Sequence, residues 1–396
     1  MKESLLVRQK MTYSTMPAFS ARINAALDKR KDSGLERNLV ALEGANQVTF
    51  NVADKSYINF SSNDYMGLAS SDELAKAWQR GIDKYGAGSG ASPLVTGFSS
   101  AHKQLEDTLC DWLGYKKAIL FSSGFSANQA VLFSLLDKQD LLIQDKLNHA
   151  SLIEAGMLSP ASMKRFRHNN VKHLSELLKD SSALVVTESV FSMDGDIAPV
   201  QDIAKACSIS DSWLMVDDAH GIGVLGNHGE GCLSLTDIKP QILIVTFGKA
   251  FGLSGAAVLC DDRIGDYLTQ FARHHVSSTA LPPSQAYALT HAATMLKSQS
   301  WRREHLSELT ATYDEVLAGH EGFVKTDTPI KPFICGPVDK TMSMSSSLKQ
   351  QGFWVTPIRP PTVAKDRSRI RITLTANHTH KQVHDLATSI IKTQEM

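Results

Sequence analysis

The chain has 396 residues, 42% hydrophobic and 21% charged, with Lys+Arg and Asp+Glu both at 41. That balance excludes a basic field for nucleic acid and an acidic excess typical of disorder, and no apolar run approaches the length needed to span a bilayer. Five cysteines (Cys110, Cys207, Cys232, Cys260, Cys335) show neither a C-x-x-C pair nor framework spacing. No apolar leader opens the chain, so a cytoplasmic protein of two or three domains with reduced thiols is expected.

Residues 1–19 show no periodicity and are expected to form a loose extension. A helix is predicted over 21–31, with Ile23, Ala26 and Leu27 at helical spacing and Gly34 closing it. Residues 48–50 and 57–60 read as a hairpin, and Ser61-Ser62-Asn63-Asp64-Tyr65 has turn and capping chemistry. A helix at 72–84 precedes a glycine-rich loop at 86–93, and another follows at 101–112. Strands and helices then alternate. Strands are predicted at 118–121, 141–144, 183–188, 213–217, 241–245 and 254–260, with helices at 126–136, from 149, and at 200–207. This predicts an α/β fold with a mostly parallel sheet flanked by helices. After Pro282-Pro283 the pattern changes to helices at 285–297 and 302–317. Strands at 331–335, 353–358 and 369–375 follow, with helices at 343–351 and 379–392. The expected division is an N-terminal extension and small-domain segment (1–60), a large α/β domain (61–298) and a smaller α+β C-terminal domain (299–396).

In an open parallel sheet, ligands bind beyond the carboxyl ends of the strands, so the residues following each strand are the informative ones. Ser122-Ser123-Gly124-Phe125-Ser126 opens a helix, and reads as a phosphate seat or an ordinary tight turn. Asn148-His149 brings an imidazole to the same edge. Ser192-Met193-Asp194-Gly195-Asp196 lacks EF-hand spacing and reads as a hydrogen-bonded turn. Asp217 ends an apolar strand and needs a partner there; His220 lies three residues on. As metal ligands this pair lacks two companions at recognisable spacing, so no metal site is expected. Lys249 stands between Gly248 and Gly252, and reads as a Schiff-base amine or a loop lysine reaching water.

Gly221-Ile222-Gly223-Val224-Leu225-Gly226 fits the dinucleotide fingerprint, but the Asn227-His228-Gly229 that follows cannot open the required helix. Together the strand ends provide a phosphate seat, an acid for a ring nitrogen and a lysine for an aldehyde. That inventory is what pyridoxal phosphate demands.

Residues 61–68, 148–152, 192–199, 217–223 and 246–255 resemble the α-oxoamine synthases, a family of fold-type I pyridoxal-phosphate enzymes, and the likeness runs from about residue 21 to the C-terminal strands. The resemblance implies a decarboxylative condensation of L-alanine with a pimeloyl thioester, borne by coenzyme A or acyl-carrier protein, in biotin synthesis. A sister synthase using glycine or serine with another acyl-CoA is the alternative. By the same resemblance Lys249 holds the cofactor as a Schiff base and then serves as base, Asp217 pairs with the pyridinium nitrogen, and His220 pairs with the ring hydroxyl. His149 stacks on the ring with Ser192 beside it. Gly124, Phe125 and Thr246 hold the phosphate. Arg37, Asn63, Arg359 and Thr362 contact substrate, with Arg359 the candidate for a carboxylate. Ser278 and Thr279 reach the phosphate of the other subunit of a homodimer. The sequence departs from the family pattern at Gly90-Ala91-Ser92-Pro93-Leu94, where Pro93 removes a backbone donor.

Overall fold

The computed structural model describes residues 17–395 in two units, 17–42 and 43–395. The extension expected at 1–19 lies, through residue 16, outside the described residues. In the first unit α1 (Pro17–Asp32) begins ahead of the predicted 21–31. It ends where Gly34 takes a φ of 62° and Leu35 N–H bonds back to the Arg30 carbonyl at 2.8 Å.

The second unit begins with β1 (Thr49–Val52), β2 (Lys55–Asn59), α2 (Asp72–Tyr85) and α3 (Ser100–Leu113). Between the two helices, residues 93–97 make a single wide helical turn with Pro93 at its start. There follow β3 (Lys117–Phe121), α4 (Gly124–Leu135), β4 (Leu141–Asp145), α5 (Ala150–Leu158), β5 (Ser162–Phe166), α6 (Val171–Leu177), β6 (Leu184–Glu188), α7 (Val200–Ile209), β7 (Trp213–Asp217), β8 (Ile242–Thr246) and β9 (Ala256–Cys260). The chain ends with α8 (Asp262–Phe271), α9 (Arg273–Val276), α10 (Pro283–Ser298), α11 (Trp301–Leu317), β10 (Ile330–Gly336), α12 (Val338–Gln350), β11 (Phe353–Trp354), β12 (Thr356–Ile358), β13 (Ser368–Thr373) and α13 (His380–Gln394).

Seven strands form one sheet in the order β3-β9-β8-β7-β6-β4-β5. From β8 to β5 neighbours run parallel, whereas β9 is antiparallel to both β8 and β3. Strand periodicity divides the core in two. Ile242 and Ile244 of β8 join Val186, Met215 and Val258 on one face, and Leu243 and Val245 join Val185, Val216 and Leu259 on the other. Both faces are covered, so the strands read as continuous apolar runs.

Where the structure adds elements, the reason is local. β5 is an edge strand whose Ser162, Lys164 and Arg165 stay in water, so it has no apolar run to read. α8 is announced by Asp261, which accepts the Ile264 N–H at 2.7 Å, and by Ile264 and Leu268 on its buried face. The predicted strand at 353–358 is two strands. β11 pairs with β2 in the sheet β1-β2-β11, and β12 pairs with β13 in the sheet β10-β13-β12.

The far end of the chain is fastened to residues 59–67. Thr373 N–H donates to the Phe60 carbonyl at 2.9 Å and Ala376 N–H to the Tyr65 carbonyl at 2.8 Å. His378 donates Nε2–H to the Asn59 carbonyl at 2.9 Å and stacks on Phe60 with ring centroids 4.3 Å apart.

The loops at the active edge are pinned by charge. His168, just beyond β5, bonds Asp145 at the end of β4 through Nδ1 (3.0 Å) and Asp196, beyond β6, through Nε2 (2.7 Å). Burial opposes a charged imidazole, but the two carboxylates outweigh it and lift the pKa to about 10 from the ordinary 6.5. A raised native pKa contributes stability that is complete below the unfolded value and is lost as pH rises through the native one. The thermal midpoint of the wild type is therefore expected to fall between pH 6.5 and 10, and that of His168→Gln to fall less across the same window, as differential scanning calorimetry would measure.

Candidate active site

Five strand ends meet at a cavity of about 280 Å³, lined by residues 122–125 and by Asn128, His149, Ser151, Glu188, Asp217, Ala219, His220, Thr246, Gly248, Lys249, Ser254 and Gly255. It lies just below the roughly 300–1,000 Å³ usual for small-molecule sites.

One end suits an anion. Ser123 caps α4 by accepting the Ser126 N–H at 3.1 Å, while the N–H groups of Gly124 and Phe125 precede any intrahelical acceptor. A Cβ on Gly124 would meet Thr246 Cγ2 at 2.6 Å, so only glycine lets the turn sit this close to the end of β8. The Thr246 hydroxyl is buried without a partner among the described residues. A buried, unsatisfied hydroxyl is costly unless a ligand satisfies it.

At the other end the Asp217 carboxylate accepts Asn128 Nδ2–H at 2.8 Å and the Ala219 N–H at 3.0 Å. Asn128 lies one turn beyond Gly124 and also donates to the Ser151 hydroxyl at 2.9 Å, which in turn contacts His149 Nδ1 at 2.8 Å. Burial lowers the His149 pKa; Asp217 partly offsets this and Lys249 adds to it. Glu188 faces Asp217 across the parallel register and leaves Oε1 unpartnered. Burial first, then the Asp217 charge, push its pKa well above the ordinary value against the pull of Lys249.

His220 is buried, with Nδ1 at 2.6 Å from the Tyr65 hydroxyl. Burial holds its pKa well below the ordinary imidazole value, and the nearby Lys249, Arg371 and His149 charges act the same way. The ring is therefore neutral. Burial raises the Tyr65 pKa to about 12 even though the Arg371 guanidinium pulls it down.

Lys249 follows β8 in a closed loop: Phe247 N–H bonds the Gly255 carbonyl, Gly252 N–H the Lys249 carbonyl and Leu253 N–H the Phe247 carbonyl, at 2.8–2.9 Å. The two flanking glycines do different jobs. Gly248 opens to the cavity, whereas Gly252, at φ 69°, lets the loop lie against the Leu68–Ala69 backbone, where a Cβ would come within 2.4 Å of Ala69 N. Burial lowers the pKa of the Lys249 amine, and Arg371 contributes in the same direction. Asp217, Glu188 and Asp218 oppose it.

Lys249, His149, Asp217, His220, Gly124, Phe125 and Thr246 thus share one cavity. Asn63 and Ser192 meet instead at Arg371, which donates Nη1–H and Nη2–H to Asn63 Oδ1 at 3.2 and 3.1 Å, and Nε–H to the Ser192 carbonyl at 2.6 Å. The same loop is held by Arg369, bonded to the Met193 carbonyl at 3.1 Å and paired with Asp194. Arg359 and Thr362 lie in the turn after β12, with Thr362 N–H on the Arg359 carbonyl at 3.1 Å. Ser278 and Thr279 lie between α9 and α10. Both pairs stand outside the cavity lining. Arg37 belongs to the unit 17–42, which is described by itself. Sequence reasoning missed Tyr65, Asn128, Ser151, Glu188 and Arg371. The helical spacing of Gly124 and Asn128, and two arginines alternating with Ile370 and Ile372 in a buried strand, were signals available for two of them.

Residues 55–390 match the family model of aminotransferase class I and II. The 8-amino-7-oxononanoate synthase of Vibrio cholerae is 62% identical over 370 residues, 93% of this chain and 96% of its own. That of Vibrio campbellii is 60% identical, over 95% and 98%. Among solved structures, the Sphingomonas wittichii serine palmitoyltransferase superposes with TM-score 0.88 at 25% identity, over 97% of this chain and 98% of its own. The Francisella tularensis 8-amino-7-oxononanoate synthase gives TM-score 0.75 at 30% identity, over 86% and 99%. With near-complete coverage and well over half of the residues shared with such synthases, the chain belongs to the 8-amino-7-oxononanoate synthase family, within the pyridoxal-phosphate-dependent enzymes of the aminotransferase class I and II fold.

Proposed function

We propose that the chain joins L-alanine to a pimeloyl thioester, carried by coenzyme A or acyl-carrier protein, to give 8-amino-7-oxononanoate, carbon dioxide and the free thiol for biotin synthesis. The observation that carries the reading is the buried, unpartnered Thr246 hydroxyl beside the open N-terminus of α4, in the same cavity as Lys249 and Asp217. Those residues fit pyridoxal phosphate: Thr246 and the Gly124 and Phe125 N–H groups for the phosphate, Asp217 for the ring nitrogen, His220 for the ring oxygen, His149 for the ring face and Lys249 for the aldehyde. When bound, that cofactor supplies an electron sink for a carbanion at the α-carbon of the amino acid.

The protein's part is binding and proton handling. Lys249, once its Nζ is free, is the base that takes the α-proton, and a pKa lowered by burial suits it to that task near neutral pH. Asp217, bonded by Asn128 and Ala219, keeps a negative charge where a protonated ring nitrogen needs one. Arg371, buried and oriented by Asn63 and the Ser192 carbonyl, presents a cation to the amino acid carboxylate. Arg37, Arg359 and Thr362 are assigned to substrate contact, and Ser278 and Thr279 to the phosphate of the partner subunit in a homodimer. Residues 299–396 act as the small domain in this reading.

Lys249→Ala is expected to yield a colourless protein in place of a yellow one, with thiol release at least about 10³-fold slower; undiminished release would overturn its assignment. Thr246→Val is expected to weaken cofactor retention about tenfold in an absorbance titration, as loss of one hydrogen bond to a charged group predicts, while saturating cofactor restores turnover. Thiol release measured for alanine, glycine and serine with pimeloyl-, acetyl- and succinyl-CoA should be fastest with alanine and pimeloyl-CoA. Fastest release with glycine and acetyl-CoA would transfer the chain to a sister synthase.

A further inference from the structure

Outside the cavity lining, three electron-rich side-chain atoms converge where α11 meets the first turn of α13. His305 Nδ1 lies 3.6 Å from Glu308 Oε2, and His380 Nε2 lies 3.5 Å from the same oxygen. The three ligand atoms all fall within 4.8 Å of one another.

The hydrogen bonds around them show which nitrogen of each ring is turned to the carboxylate. His305 Nε2–H donates to the His378 carbonyl at 2.8 Å, which turns Nδ1 to Glu308. The Thr312 hydroxyl donates to the Glu308 carbonyl at 3.0 Å and lies 2.8 Å from His380 Nδ1, which turns Nε2 of that ring to the same carboxylate. Two imidazole nitrogens thus converge on one carboxylate oxygen. The spacing also matters. A charge-assisted N–H···O bond would close to roughly 2.7–2.9 Å, whereas ligands each about 2.0–2.2 Å from a tetrahedral metal stand roughly 3.3–3.6 Å apart. The observed 3.5 and 3.6 Å match the latter.

We propose that His305, Glu308 and His380 bind a divalent first-row cation, Zn²⁺ fitting best, with water completing a tetrahedral shell. The His378 carbonyl and Thr312 hydroxyl are the outer partners that orient the two imidazoles. The positive end of the α13 dipole disfavours a cation there, and the Glu308 charge offsets it. The ion ties α13 to α11. Because His378, two residues before His380, is bonded to Asn59 and stacked on Phe60, it also braces the segment leading to Tyr65 and Asn63.

The test uses tag-free, cofactor-loaded protein cleared of metal with a chelator and titrated with Zn²⁺ by calorimetry and thermal unfolding. Wild type should bind one Zn²⁺ at this site with a gain of several degrees in midpoint. Glu308→Gln and His380→Gln should lose both. Thr312→Val, which leaves all three ligands in place, should weaken binding about 10- to 100-fold. His384→Gln, an exposed histidine of the same helix, should behave as wild type. None of these residues lines the cavity, so turnover of each variant is the control that it has folded. Zn²⁺ binding and stabilisation that persist in Glu308→Gln and His380→Gln, or wild type that neither binds nor is stabilised by micromolar Zn²⁺, would overturn the proposal.

Discussion

A carboxylate at the buried end of a strand is the constraint on which the site depends. Asp217 closes a run whose other residues pack on both faces of the sheet, and desolvation there would be prohibitive without donors. The first two arrive from elsewhere: Asn128 from α4 and the Ala219 N–H from the turn after β7. The helix that places Asn128 is the one whose first turn faces Thr246, so stabilising the acid and building the anion seat are a single act of placement.

Burial and the acid together bias the titratable groups around it. Glu188 lies beside it in register with a pKa raised by burial and by the acid, and Lys249 is drawn toward the charged form by Asp217 while burial and Arg371 resist. His220, by contrast, is kept neutral by burial, with the Lys249 and Arg371 charges acting the same way, and its Nδ1 is bonded to the Tyr65 hydroxyl. Groups of the same nominal type end up with opposite duties because their surroundings differ, as acid–base chemistry at one pH requires.

The strand-end residues were legible because the pattern itself marks them. An apolar run long enough to be buried must stop, and what stands at its stop faces the crevice: Asp217 and Lys249 both follow that logic. The parallel sheet was legible for the same reason, whereas β5 hid because an edge strand need not be apolar. Arg371 and Tyr65 were not marked by any strand end. Arg371 sits mid-strand in β13, and only the docking of that strand's face on the 192–194 turn reveals that its guanidinium is spoken for by Asn63 and Ser192. Ser278, Thr279, Arg359 and Thr362 came from family likeness, with no burial or periodicity behind them, and like Asn63 and Ser192 they stand outside the cavity lining.

The fastening of residues 373–378 onto residues 59–67 has a temporal meaning. Tyr65 is made early and Arg371 late, yet the pair flanks the same histidine, and the hydrogen bonds from Thr373, Ala376 and His378 hold the early segment in place. A chain emerging from the ribosome can form the seven-stranded sheet and present Lys249 before its last quarter exists. Arg371, whose charge acts on both Lys249 and His220, stands in place only once that quarter has been released, and a nascent chain halted after β9 would hold the residues that line the cavity without it.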